Sequence, residues 1–303
     1  MDNLCHTLLG AAFGEAGLKR RTRFGNATLM IAANLPDIDV LVFATGVPSV
    51  AVRRGWTHGV LALALLPVAL TVAMCAVDRM CPARGARDPV HIRWLWLLSS
   101  VGVLSHVALD LLNNYGVRLL MPFDGRWFYG DAVFIADPWL WLALGAGIWI
   151  ARRRGVPAPA QQALAVAILY VAVMCVSARV ARHVVADEWR ALRVAAPLSL
   201  MVGPTPITPF RRQVIVDAGS YYETGTFDWL SLQTRFDAGT VPKNDRDPRV
   251  AQAREAPHIR GFLIWSRFPF WTFEAVSGGT RVSVSDMRFA GRGSPFVQSA
   301  LVR

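Results

Sequence analysis

The sequence predicts a mainly α protein, a polytopic membrane helical bundle carrying a smaller C-terminal α+β domain outside the membrane. Of its 303 residues, 53% are hydrophobic and 17% charged, against about 45–50% and about 25% in ordinary soluble domains. Four apolar runs, at 60–77, 92–112, 133–151 and 163–180, approach the roughly 20 residues that cross a bilayer as helix. From about Arg190 no such run remains, and short β-prone stretches punctuated by Pro and Gly take over. The expected domains are therefore 1–189, membrane-embedded, and 190–303, α+β.

Taken in order, the first two segments, about 4–18 and 26–45, are apolar but weaker than spans. They read as a helical pair partly embedded against the bundle. The second contains Asn34-Leu-Pro36-Asp37-Ile-Asp39, and a proline there breaks or kinks a helix. The run at 133–151 is interrupted by Asp137-Pro138, and Trp94, Trp96, Trp139, Trp141 and Trp149 lie near run ends, as interfacial anchors do. Basic clusters alternate with the runs: Lys19 to Arg23, then Arg79, Arg84, Arg87 and Arg93, then Arg152 to Arg154. By the positive-inside rule these face the cytoplasm, although Arg53, Arg54 and Arg126 oppose that assignment. The ends carrying His6, His58, His106, Asp110, Asp137 and His183 then share the other face.

In the C-terminal part, strands are expected at 213–216, 221–230, 261–268, 270–276 and 280–286, with a hairpin turn at Ser277-Gly278-Gly279-Thr280. Residues 243–254 read as a polar loop leading into a short helix. The topology puts this domain in the periplasm. The net charge of +11 is explained by topology signals and anionic lipid headgroups, so nucleic acid is not an expected partner. Cys5, Cys75, Cys81 and Cys175 form no CxxC pair and read as small buried hydrophobes. MDNLCHTLLG has no basic n-region and does not read as a cleaved signal peptide, so His6 is expected in the mature chain.

Ionisable residues in apolar sequence are costly, about 2.5–3.5 kcal/mol for a central Asp on insertion scales, so they tend to be paired, hydrated or bound. His106-Val-Ala-Leu-Asp110 is the sharpest local signal, because residues four apart share a helix face and can reach one metal or substrate atom. Asp2 and His6 repeat the spacing in reverse. Asp37 and Asp39 flank a forced backbone break, so that one can bind metal while the other holds a histidine or a cap. Arg54-Gly-Trp-Thr-His58-Gly precedes a span, and its glycines permit close approach. Asn113-Asn114-Tyr115-Gly116 reads as a C-cap and turn, with amides, Asn114 among them, able to orient a substrate. Arg126 is an expected anion contact. His183 and Asp187 share the four-residue spacing as a juxtamembrane polar face, while His91 and His258 read as surface residues.

The chain has no Gly-rich phosphate loop, GxSxG, CxxC or HExxH, so nucleophilic serine or cysteine chemistry has no sequence support. Metal-activated water fits best: a divalent ion, zinc by its ligand types, polarises a phosphoryl or carbonyl oxygen, and a spare carboxylate orients or deprotonates the water.

The motif order Asp2-xxx-His6, Leu-Pro-Asp37-x-Asp39, Arg-Gly-x-Thr-His58-Gly, His106-xxx-Asp110 followed by Tyr-Gly, and Asp137-Pro resembles the YdjM/YfhP-type predicted inner-membrane metal-dependent hydrolases over about residues 1–190. That family in turn resembles the zinc-dependent phospholipases C and their fold-sharing single-strand nucleases, whose helical bundle binds zinc through an early His, an Asp, a His, a His-xxx-Asp and a second His-xxx-Glu. His6, Asp37 (or Asp39), His58, His106 and Asp110 match the first five in order. Nothing between Asp110 and Asp137 supplies the second His-xxx-Glu; Asp137 can fill one place, and His183-xxx-Asp187 is a distant substitute.

The resemblance implies one or two metal ions held by His6, Asp37, His58, His106 and Asp110. Asp39 and Asp137 would serve in catalysis or as further ligands, and Arg126 and Asn114 would contact substrate. It implies an enzyme of the inner membrane, multi-pass, that hydrolyses a phosphoester in a lipid or lipid-linked molecule. An ion- or metal-binding transporter would use the same intramembrane Asp and His as a pathway, but paired broken helices and an internal repeat are not evident. A non-enzymatic envelope stress protein would tolerate loss of the ligands.

Overall fold

The computed structural model describes residues 1–45, 48–80, 89–193, 196–291 and 294–303. Cys81, Arg84 and Arg87 lie outside the described residues. The chain divides into two compact units, 1–39 with 54–176 and 40–53 with 177–303. The division falls within a long helix, upstream of the change in composition at Arg190.

The first unit is helical. α1 (Asn3–Glu15) begins at Asp2, whose carboxylate caps the amides of Leu4 and Cys5, satisfying two donors that a helix start leaves open. α2 (Gly25–Ala32) packs on α1 through Gly10 and Gly14. A Cβ at Gly10 would meet the Leu29 carbonyl, and one at Gly14 the Asn26 side chain. This small-xxx-small face is the device membrane helices use to bring backbones together. After Asn34 the chain tightens into a 3₁₀ stretch, Leu35–Ala44, and the pair is bent by 51° at the break, as Pro36 requires.

A single turn, α3 (Ser49–Val52), belongs to the second unit. The first unit resumes with α4 (Val60–Met80) and α5 (Ile92–Leu111), an antiparallel pair. α6 (Pro138–Arg154) and α7 (Ala158–Arg193) follow. Among the described residues α4, α5 and α7 are long and apolar enough to cross a membrane, and the bent pair 25–44 makes a fourth if counted as one span. The apolar run expected from 133 starts as helix only at Pro138. Asp137 is its N-cap, accepting from the amides of Trp139 and Leu140, and proline is pre-organised for the first helical position.

The basic ends gather. Lys19 and Arg152 both pair with buried Glu15 at the end of α1, and Arg23 at the start of α2 pairs with Asp78 at the end of α4. Those ends mark one end of the bundle; the N-termini of α1, α4 and α6 and the C-terminus of α5 mark the other. Cys5, Leu140, Leu144 and Met174 form one apolar core of this unit, and Leu70, Leu95 and Val103 another. Cys5 is buried, and Cys75 and Cys175 are half-buried.

In the second unit β1 (Ser199–Pro204), β2 (Arg211–Asp217), β3 (Tyr221–Asp228) and β4 (Gln233–Pro242) form an antiparallel meander. Strand alternation sends Leu200, Val202, Val214, Val216 and Phe227 against Ala181, Val185 and Trp189 of α7, and Met201, Ile215 and Tyr222 against Phe268 and Met287. After α8 (Pro248–Ala253) and α9 (Pro257–Trp265), β5 (Pro269–Val276), β6 (Gly279–Asp286) and β7 (Val297–Val302) form a second antiparallel sheet. The hairpin expected at 277–280 is present, with Val276 paired to Gly279 and Gly278 at φ 93°. Over 261–265 the strand expected at 261–268 is instead helix α9: Pro257 opens its first turn, and the buried Ile259, Phe262 and Trp265 recur every three residues on one face.

Candidate metal centre

Four ligand-type side chains converge at the end of the bundle opposite the paired basic ends. Asp37 comes from the 3₁₀ stretch after the Pro36 bend, His58 from the turn before α4, and His106 and Asp110 from successive turns of α5. All four are buried, and one ligand atom from each lies within 4.8 Å of the others. His58 Nε2 is 3.1 Å from His106 Nε2 and 3.3 Å from Asp110 Oδ2. His106 Nε2 is 3.6 Å from Asp110 Oδ2, and Asp37 Oδ1 is 3.8 Å and 3.9 Å from the two imidazoles. Tetrahedral bonds of about 2.0–2.1 Å place ligand atoms about 3.3 Å apart; His58, His106 and Asp110 stand near that spacing, and Asp37 Oδ1 somewhat farther out.

The remaining imidazole nitrogens explain the convergence. His106 Nδ1 donates to the Ala33 carbonyl at 2.7 Å, which leaves Nε2 as the lone-pair nitrogen facing the cluster. His58 Nδ1 is 2.9 Å from the Thr57 hydroxyl, which donates to Asp39 Oδ2 at 3.0 Å. The same oxygen accepts the Arg54 amide at 2.8 Å and is 3.6 Å from His58 Nδ1. Such outer partners fix the tautomer and aim of a ligating histidine. The two carboxylates of Leu-Pro-Asp-Ile-Asp are therefore divided: Asp37 faces the cluster, and Asp39 holds the side chains that aim His58.

His6 is stacked on His106, ring centroids 3.8 Å apart, with Nε2 3.5 Å from Asp110 Oδ1. It is buried, and among the described residues neither of its ring nitrogens makes a hydrogen bond. It lies beside the four-residue group, against His106 and Asp110. The Met1 amine pairs with Asp110.

Arg54, in the sequence part of the Arg-Gly-x-Thr-His58 motif and a charge opposing the topology but given no site role, is a buried member of this site. Its Nε is 3.1 Å from Asp110 Oδ2, it donates to Asn113 Oδ1 at 3.1 Å, and its guanidinium lies over Tyr115. Its φ of 54° is a left-handed conformation uncommon for a residue with a side chain, and such residues gather at functional sites. Gly55 follows, where a Cβ would meet the Arg118 guanidinium. Asn113 also accepts from the amides of Tyr115 and Gly116, so the turn after α5 is built around it.

Other expected residues stand elsewhere. Asp137 caps α6 and accepts the Tyr170 hydroxyl at 2.8 Å. Arg126 is exposed and paired with Asp124. Asn114 is buried beside Asn113. Asp2 caps α1 and accepts from Trp141. His183 and Asp187 are exposed on the second unit, as are His91 on the first and His258 on the second. A groove of about 530 Å³ between α1, α2 and the 3₁₀ stretch is lined by Asn3, Thr7, Asn34 and Asp37 among others, so that Asp37 is the cluster residue that borders it.

Residues 1–184 match the model of the YdjM inner membrane protein family, and every residue of the cluster lies within that match. The chain belongs to the YdjM inner membrane protein family. It is also 23% identical to a protein of Bacillus subtilis (strain 168) described as the uncharacterized protein YfhP, over 98% of this chain and 90% of that one. No solved structure matches. This member of the YdjM family thus combines apolar helices of spanning length with a buried Asp–His–His–Asp cluster that could hold a metal ion.

Proposed function

We propose that this protein is a membrane-embedded, zinc-dependent hydrolase acting on a phosphoester of a lipid or lipid-linked molecule. One observation carries the reading: Asp37, His58, His106 and Asp110 turn ligand atoms to a common point while other groups hold the far nitrogens of both histidines. Those four would hold the ion, with His6 beside them for a second ion or an exchangeable place. Zinc bound there supplies a Lewis acid for a phosphoryl oxygen and lowers the pKa of water toward about 7. His6, Asp37, His58, His106 and Asp110 follow the order of the first five ligands in the zinc-dependent phospholipases C, whose second His-xxx-Glu this sequence lacks.

The chain's own residues supply the rest. Arg54 presents a buried guanidinium at the edge of the cluster, where a fork of N–H donors suits the oxygens of a phosphoester; the anion contact expected of Arg126 falls to it. Asp39 acts through Thr57 and His58 as a positioning residue. The groove over Asp37, polar through Asn3, Thr7 and Asn34 and apolar through Ile31 and Ile38, admits a headgroup from a lipid-rich surrounding. Under this reading the basic ends face the cytoplasm, and the metal centre and the C-terminal sheets lie on the periplasmic side.

The test is phosphodiesterase and phosphomonoesterase assay of the purified protein on lipid and nucleotide esters, beside Asp37→Asn. Hydrolysis of a lipid ester by the wild type that disappears in the variant is expected. A metal-loaded wild type that hydrolyses no ester of either kind overturns the reading.

A further inference from the structure

A second cavity lies in the same helical unit, away from the groove over Asp37. It measures about 410 Å³ and is walled by α1, α5, α6 and α7. Its lining is apolar almost throughout: Phe13, Leu109, Leu144 and Val171 are typical. Ser105 turns its hydroxyl to the Gly102 carbonyl at 2.8 Å. The α1 wall, from Cys5 to Phe13, measures about 12 Å at a rise of about 1.5 Å per residue, so the cavity is a slot lying along the helices. Cys5 is next to His6, and Leu109 is next to Asp110. One end of the slot is therefore level with the metal centre, and the other points toward the basic end of the bundle.

We propose that this slot holds one hydrocarbon chain of a membrane lipid, with the polar end of that lipid at the level of the metal centre. The slot is open along one side, where Ala108, Ile168 and Ala172 are exposed, so a chain can enter it from the surroundings of the helices. Two of the slot's walls, α5 and α7, have the composition of membrane spans, so the solvent available to fill it is lipid. Its apolar wall suits an unbranched or isoprenoid chain and disfavours a headgroup, a sugar or a peptide with polar side chains. That the bound lipid is also the substrate rests on the hydrolase reading; that a chain binds here does not.

The test uses the full-length protein in nanodiscs of phosphatidylethanolamine and phosphatidylglycerol, doped with a phospholipid bearing a diazirine within one acyl chain. After photolysis, labelled peptides are mapped by mass spectrometry, and metal content is measured on the same samples. In the wild type, labelling is expected to concentrate on 105–112 and 164–172, above the lipid-facing positions of α4 such as Val72. Ala172→Trp and Ala108→Trp, which fill the slot, should abolish that excess while metal is retained; Val72→Trp should not. Ala172→Leu serves if the larger side chain disturbs folding.

Uniform labelling of slot and α4 peptides in the wild type would show annular lipid alone and overturn the proposal, as would an excess that persists when the slot is filled. Protein without metal or turnover that still labels in the slot sinks the hydrolase reading and leaves this one standing. Metal and turnover with uniform labelling do the reverse.

Discussion

Replacing Asp39 by Asn separates the two carboxylates of Leu-Pro-Asp-Ile-Asp by what each one touches. Asp39 Oδ2 accepts from the Arg54 amide at 2.8 Å and the Thr57 hydroxyl at 3.0 Å, and that hydroxyl meets His58 Nδ1 at 2.9 Å. Asn has nearly the same shape and keeps one acceptor, so the fold is retained, but the charge that polarises Thr57 and His58 is lost. Loss of such an outer partner weakens metal binding by about 10–100-fold, or about 1.4–2.7 kcal/mol. Asp37→Asn removes a donor from the cluster itself and should leave no stoichiometric metal. The assay is zinc affinity by competition with a chromogenic chelator at fixed pH, on protein purified gently without chelators, with thermal unfolding as the control. Equal and complete loss of metal in both variants would refute the division between facing and positioning carboxylates. An unchanged affinity in Asp39→Asn would refute the Thr57–Asp39 relay.

Asp137→Ala should keep its metal while losing roughly 1 kcal/mol of helix stability with the α6 cap, seen as faster hydrogen exchange at the start of α6. Gly10→Val forces a side chain into the backbone of α2 and should lower stability by about 1–3 kcal/mol, read by thermal unfolding in detergent. In the second unit, burial raises the pKa of Asp286, but Arg288 and hydrogen bonds from Ser266 and Arg288 outweigh it and hold the carboxyl below its ordinary value. Because the folded pKa is depressed, this stabilisation is full above the ordinary value of 3.8 and is lost as pH falls through the folded one. Exchange protection of 257–303 should thus be level from neutrality down to the ordinary carboxylate range and decline below it. Asp286→Asn, which leaves Arg288 buried beside a neutral partner, should cost about 3–5 kcal/mol at neutral pH.

The parts of this molecule legible in its sequence are those set by local periodicity. His106 and Asp110 share a face because a helix puts residues four apart together, and the Pro36 bend, the long apolar helices at 60–80, 92–111 and 158–193 and the 277–280 hairpin follow from equally local rules. Choosing Asp37 over Asp39 as the cluster carboxylate depends on the Arg54 amide and Thr57, more than a dozen residues away, so local pattern left both possible. Arg54 was missed because an arginine beside a span reads as a topology signal. The glycine after it was the visible hint of a special backbone, but its left-handed φ was not. Helix α9 is hidden in the sequence because a short apolar run fits both periods, and Pro257 alone marks a helix start. β4, mostly exposed, and the short β1 and β7 are fixed by pairing with neighbours rather than by their own pattern.

The proposed function requires that Asp37, His58, His106 and Asp110 hold a metal ion. Metal content of the full-length protein, purified gently without chelators, tests it most directly when measured beside His106→Ala and Asp110→Asn. Stoichiometric metal in the wild type and its loss in both variants is the predicted result. A folded wild type that carries no stoichiometric metal and binds none on titration with zinc would contradict the claim.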